Sequence, residues 1–74
     1  MNCNINMFWD DEACVWVATS EDLPGLVLED ESFEALVDEV KLAVPTLIYL
    51  NQIPCDYVAL NFVTIRSERL ALVG

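Results

Sequence analysis

Residues 2–9 alternate. Cys3, Ile5, Met7 and Trp9 stand at every second position, with Asn2, Asn4, Asn6 and Phe8 between them. A period of two marks a strand with one face buried and one toward water. Asp10-Asp11-Glu12 breaks the alternation as a polar turn. Ala13-Cys14-Val15-Trp16-Val17-Ala18-Thr19 is short, β-branched and aromatic, and reads as the second strand of a hairpin. With Trp9 opposite Ala13, Met7 faces Val15 and Ile5 faces Val17. That register sends Val15 and Val17 to the core and leaves Cys14 and Trp16 on the other face, beside Phe8. A slip of one residue exchanges the two sets.

Ser20-Glu21-Asp22 leads into the corner Leu23-Pro24-Gly25-Leu26. Pro24 fixes φ near the value a turn needs at its second position, and Gly25 permits the positive φ of a type II turn at its third. Leu26-Val27-Leu28 follows as a short third strand. Glu29-Asp30-Glu31-Ser32 is then a helix entry, with Ser32 as N-cap and acids at the positive end of the helix dipole.

From Phe33 the period becomes helical. Phe33, Leu36, Val37, Val40, Ala43, Val44, Leu47 and Ile48 fall within an arc of roughly 140° at about 100° per residue. Pro45 sits inside this stripe and predicts a kink. The periodicity runs through it, so one helix extends to about Leu50. Ala35, Leu42, Pro45 and Tyr49 lie on the opposite side and call for a cover. The chain's own C-terminal segment is one candidate, and a second subunit or a partner helix is the other.

Asn51-Gln52-Ile53-Pro54 is a loop, since Pro54 resists helix. Residues 57–66 form the last clear strand, with Leu60, Phe62 and Thr64 alternating against Asn61 and Val63. Ser67-Glu68-Arg69 turns the chain, and Leu70-Ala71-Leu72-Val73 adds a short fifth edge strand or a swapped arm. The pattern gives a single α+β domain over residues 1–74, ordered β-β-β-α-β. One amphipathic helix packs on an antiparallel sheet.

Composition sharpens this picture. A chain of 74 residues has a thin core, yet 55% of its residues are apolar. Surplus apolar surface on a small domain points to self-association, and a homodimer is the expected state. The apolar runs are too short to span a bilayer. The first residues carry no basic, apolar leader pattern. A cytoplasmic protein is the expectation. Cys3, Cys14 and Cys55 fit it as small buried hydrophobes, odd in number and without metal spacing.

Charge is lopsided. Residues 1–40 hold eleven acids and no base, whereas residues 41–74 hold Lys41, Arg66 and Arg69 against Asp56 and Glu68, for a net −10. Such a field repels phosphate backbones and argues against nucleic-acid binding. It attracts a basic partner, and it also keeps an apolar small protein in solution. The chain has no histidine, so the commonest general base and metal ligand are both missing. Acidic surroundings raise a thiol's pKa rather than activate it. Lys41, the one lysine, belongs to a helix face, and the two glycines make no phosphate loop. These residues carry no catalytic, cofactor or metal site, and a non-enzymatic role follows.

Trp16-Val17-Ala18-Thr19-Ser20-Glu21-Asp22-Leu23-Pro24-Gly25, followed by Asp30-Glu31-Ser32-Phe33-Glu34-Ala35-Leu36, resembles the HicB antitoxin family. There an aromatic-led strand runs to a Pro-Asp/Glu-Leu-Pro-Gly corner, then a short strand and a Thr/Ser-led Glu-Ala helix. Glu21 stands where that family usually has proline. Trp9-Asp10, Trp16-Val17 and Val44-Pro45 are similar to a small branch of the clan of unknown function. The resemblance spans residues 3–50 well. It implies a sheet covered on one face by the helix, and a protein that inhibits HicA, a small basic ribonuclease, by blocking its catalytic histidine. Complementary charge between an acidic inhibitor and a basic nuclease agrees with it. Full antitoxins usually continue into a DNA-binding segment, and residues 67–74 lack the basic residues for one, so operator binding is not implied. The other expectation is a stand-alone homodimeric interaction module with a different partner. Under either, Trp16, Leu42 and Tyr49 are the candidate interface residues.

Overall fold

The alternating start of the chain forms β1, Asn2–Asp10, in a computed structural model that describes residues 1–64 and 68–73. Val15–Thr19 is β2, Val27–Asp30 is β3, Phe33–Leu50 is the helix α1, and Ala59–Thr64 is β4. Four strands make one sheet in the order β3-β2-β1-β4. The helix lies on one face of this α+β fold, closest to β2 and β3.

The β1–β2 pair is antiparallel, but its register differs from the expected one by three residues. Trp9 pairs with Trp16, Met7 with Ala18 and Asp10 with Val15. An odd shift exchanges the faces. Trp16 and Ala18 therefore face the helix, while Val15 and Val17 lie on the open face with Phe8. The cause is local. The Asp10 carboxylate accepts hydrogen bonds from the backbone N–H of Glu12 (3.0 Å) and Ala13 (3.2 Å). That Asx turn draws Ala13 and Cys14 into the loop and leaves Asp10 in the ladder. Cys14 closes the loop at φ 56°.

The corner is built as expected. Gly25 has φ 91°, and the Leu26 N–H donates to the Leu23 carbonyl at 3.3 Å. Leu23 and Leu26 point into the core, at 0% and 2% exposure. β3 begins at Val27 and takes in Glu29 and Asp30, so the helix entry shortens to Glu31-Ser32. Ser32 caps α1, its Oγ accepting from the Ala35 N–H at 3.2 Å. The helix continues through Pro45 without a break. All eight residues of the apolar stripe join the core, with Leu36, Val40 and Val44 buried deepest.

Gln52, just past the helix, takes φ 54°. Its N–H donates to the Tyr49 carbonyl (3.1 Å), and the Ile53 N–H donates to the Ile48 carbonyl (3.1 Å). This is a Schellman stop with glutamine at a position that favours glycine. Gln52→Gly should raise stability by up to about 1 kcal/mol, because the left-handed backbone then carries no Cβ. Equilibrium urea melts would read the gain.

The sheet is mixed rather than wholly antiparallel. β4 runs parallel to β1, with Cys3 opposite Leu60 and Ile5 opposite Phe62. An 18-residue helix is ~27 Å long. It carries the chain back along the sheet, so β4 starts at the end where β1 and β3 start. Cys3, Ile5 and Met7 are 0–1% exposed beneath this arrangement, with Ile53, Val58, Leu60 and Phe62 packed against the same core. Residues 68–73 form no strand, so the expected fifth strand over 70–73 is not formed; Ser67 of the expected turn and residues 65–66 of the expected last strand lie outside the described residues.

Candidate partner-binding surface

The topology gathers acids at one end of the domain. β1 ends there at Asp10, and the 11–14 loop returns the chain to β2. Trp16 pairs with Asp30, which sets the end of β3 beside the start of β2, and α1 begins three residues later. Asp10, Asp11, Glu12, Asp30, Glu31 and Glu34 therefore share one pole.

Aromatic rings tie that pole to the core. Trp9 and Trp16 meet edge to face at 5.7 Å and 66°, and Trp16 meets Phe33 at 5.0 Å and 80°. Such pairs add about 0.5–1.5 kcal/mol beyond the area they bury. Trp9 remains 43% exposed, and its Nε1–H donates to Asp11 Oδ1 at 2.7 Å. The pole thus presents an indole fixed in orientation by an acid. It is the kind of anchor that interfaces favour.

Glu39 shows how crowded the negative charge is. Partial burial, then a side-chain hydrogen bond with Asp30 and that carboxylate's charge, raise its pKa above the usual 4.5. The folded chain therefore holds this proton more tightly than the unfolded chain does. The resulting stability is present below pH 4.5 and is lost as pH rises through the raised folded value. Glu39→Gln should raise Tm at neutral pH and flatten the decline that sets in as pH rises above 4.5. Thermal melts across that range check it.

The three expected interface residues separate. Leu42 and Tyr49 stand on the outer side of α1 at 79% and 81% exposure, with Leu50 beside them at 66%. Trp16 is half-buried on the helix-covered face, because of the register shift, and is not beside Phe8. The open face instead carries Phe8 (43%), Val27 (71%) and Val63 (42%). These flank an asparagine pair in which Asn61 Nδ2 donates to Asn4 Oδ1 at 3.2 Å. The alternation of residues 2–9 marked this polar row, but Val27 and Val63 join it only through cross-strand register. Cys3 is buried as expected, whereas Cys14 and Cys55 are exposed because both lie in loops.

A family model for a domain of unknown function (DUF1902) matches residues 2–73. The chain belongs to this family. Its fold is similar to the crystal structure of a hypothetical protein from the extremely thermophilic bacterium Thermus thermophilus. The TM-score is 0.84 at 32% identity, over 95% of this chain and 100% of that one. No curated protein matches. Among the described residues of this DUF1902 domain, no helix is long and apolar enough to cross a membrane, and no cluster of His, Cys, Asp or Glu is arranged to hold a metal.

Proposed function

We propose that this DUF1902 domain is a non-enzymatic, cytoplasmic interaction module that binds a small basic protein of the HicA ribonuclease kind and inhibits it. The acidic pole around Trp9 supports this reading most directly. It joins a rigid aromatic anchor to a field that speeds encounter with a cationic partner and sets its orientation. The HicB-like sequence of residues 16–36 points to the same partner class. Direct nucleic-acid binding does not fit a surface of this charge.

The test is association with a purified HicA-type ribonuclease by titration calorimetry, at low salt and at about 0.5 M salt, where exposed pairs are screened. Binding that weakens with salt and is abolished in Asp11→Lys/Glu12→Lys/Glu31→Lys, which leaves the Asp10 turn intact, supports the proposal. No binding, or binding indifferent to both changes, overturns it. A second reading, a homodimeric module with a different partner, draws support from the exposed apolar residues Leu42, Tyr49, Leu70 and Leu72.

A further inference from the structure

The edge of the sheet at β3 borders an apolar groove. The stretch 25–28 lines it from the strand side, and Ala43, Thr46 and Leu47 from the helix, around a space of about 310 Å³. Leu50 follows Ala43 and Thr46 at helical spacing and is 66% exposed. Beyond β3 no further strand pairs among the described residues. An open edge beside an apolar groove is the receiving half of strand addition, in which backbone bonds give affinity and alternate side chains fill pockets.

The chain also carries a donating half. Residues 68–73 belong to no helix or strand, and Leu70, Leu72 and Val73 are 82%, 90% and 100% exposed. The molecule measures 57 Å along its longest axis against 20 and 18 Å across. Its radius of gyration is 14.9 Å, where a compact chain of this length has about 11 Å. Neither α1 at ~27 Å nor the nine residues of β1 at ~30 Å accounts for that length. Residues 68–73 follow β4 in the chain, and β4 is the opposite edge of the sheet from β3.

We infer that the C-terminal segment 68–73 of one copy adds to β3 of a second copy and seats Leu70 and Leu72 in its groove. Charge selects this occupant. Residues 1–64 carry twelve acids and Lys41, for −11, whereas residues 65–74 carry Arg66, Arg69 and Glu68, for +1. With the leucines toward the helix, Arg69 and Ala71 turn to the other side, because side chains alternate. Running antiparallel to β3, the arm then sets Arg69 across from Glu29 and Ala71 across from Val27. Stable interfaces bury on the order of 1,200–2,000 Å², more than one short arm supplies. Two-fold exchange makes the contact twice and leaves neither groove empty. This contact lies on the β3 edge and does not use the acidic loop 11–14, so it stands or falls separately from binding of a basic protein.

Light scattering after size exclusion should find the unaltered chain dimeric, and Leu70→Asp/Leu72→Asp monomeric with the same far-UV circular dichroism. The arm is exposed in the single chain, so the variant keeps its fold. A monomeric unaltered chain, or a dimeric variant, would overturn the inference. Position is checked by Val27→Cys/Ala71→Cys in a Cys14→Ser/Cys55→Ser background, since facing Cβ atoms in a strand pair lie about 4.5–5.5 Å apart. Under oxidation a cross-linked dimer is expected on a non-reducing gel. A cross-link within one chain, or none, contradicts the exchange.

Discussion

Trp16→Ala should lower the unfolding free energy by about 2–3 kcal/mol, somewhat less than the 3–5 kcal/mol of a fully buried aromatic. Trp16 is half-buried and holds Trp9 on one side and Phe33 on the other. Its loss opens a gap between β1 and the first turn of α1 and frees both neighbours. At about 4–8 °C per kcal/mol for a domain of this size, Tm falls by roughly 10–20 °C. Phe8→Ala, on the open face at 43% exposure, should cost about 1 kcal/mol or less. The contrast tests the register. If Trp16 shared the open face with Phe8, the two substitutions would have similar small effects on stability. Thermal melts of both variants, with Trp16→Phe as the control that keeps a ring in the stack, decide between the arrangements.

Leu36→Ala should cost about 3 kcal/mol, within the 2–5 kcal/mol seen for buried leucines. Leu36 is 0% exposed on the inner stripe of α1. It belongs to the buried core cluster between the helix and the sheet, so the substitution leaves a cavity there. The whole domain has on the order of 4–11 kcal/mol of stability at 74 residues, so this is a large share. Leu42→Ala makes the same chemical change on the same helix at 79% exposure. It should stay within about 0.5 kcal/mol in the monomer. Urea titrations should show a lower midpoint for Leu36→Ala with an unchanged slope. Equal effects at the two positions would contradict the orientation of the helix.

The two interface candidates on α1 gain their meaning from what lies next to them. Leu42 and Tyr49 were legible as outer-face apolar residues from period alone. That Thr46 joins this side of the helix to a groove beside β3 was not, because the groove needs the strand and the helix together. Trp9 was legible as a core-side residue of β1. Its place at an acidic pole depends on where β3 and α1 start and stop.

The sequence by itself determined the order of elements, the corner at Pro24-Gly25, the cap at Ser32 and the buried stripe of α1. Each depends on local chemistry or on a short period: a positive φ that glycine accepts, a hydroxyl that meets an orphan N–H, side chains that return every 3.6 residues. The tertiary structure decided the face of Trp16, the parallel pairing of β4 with β1 and the open edge at β3. These depend on contacts between residues far apart in the chain. One carboxylate, Asp10, drew two more residues into a turn and thereby reversed the faces of a whole strand, and no periodicity within β2 records that.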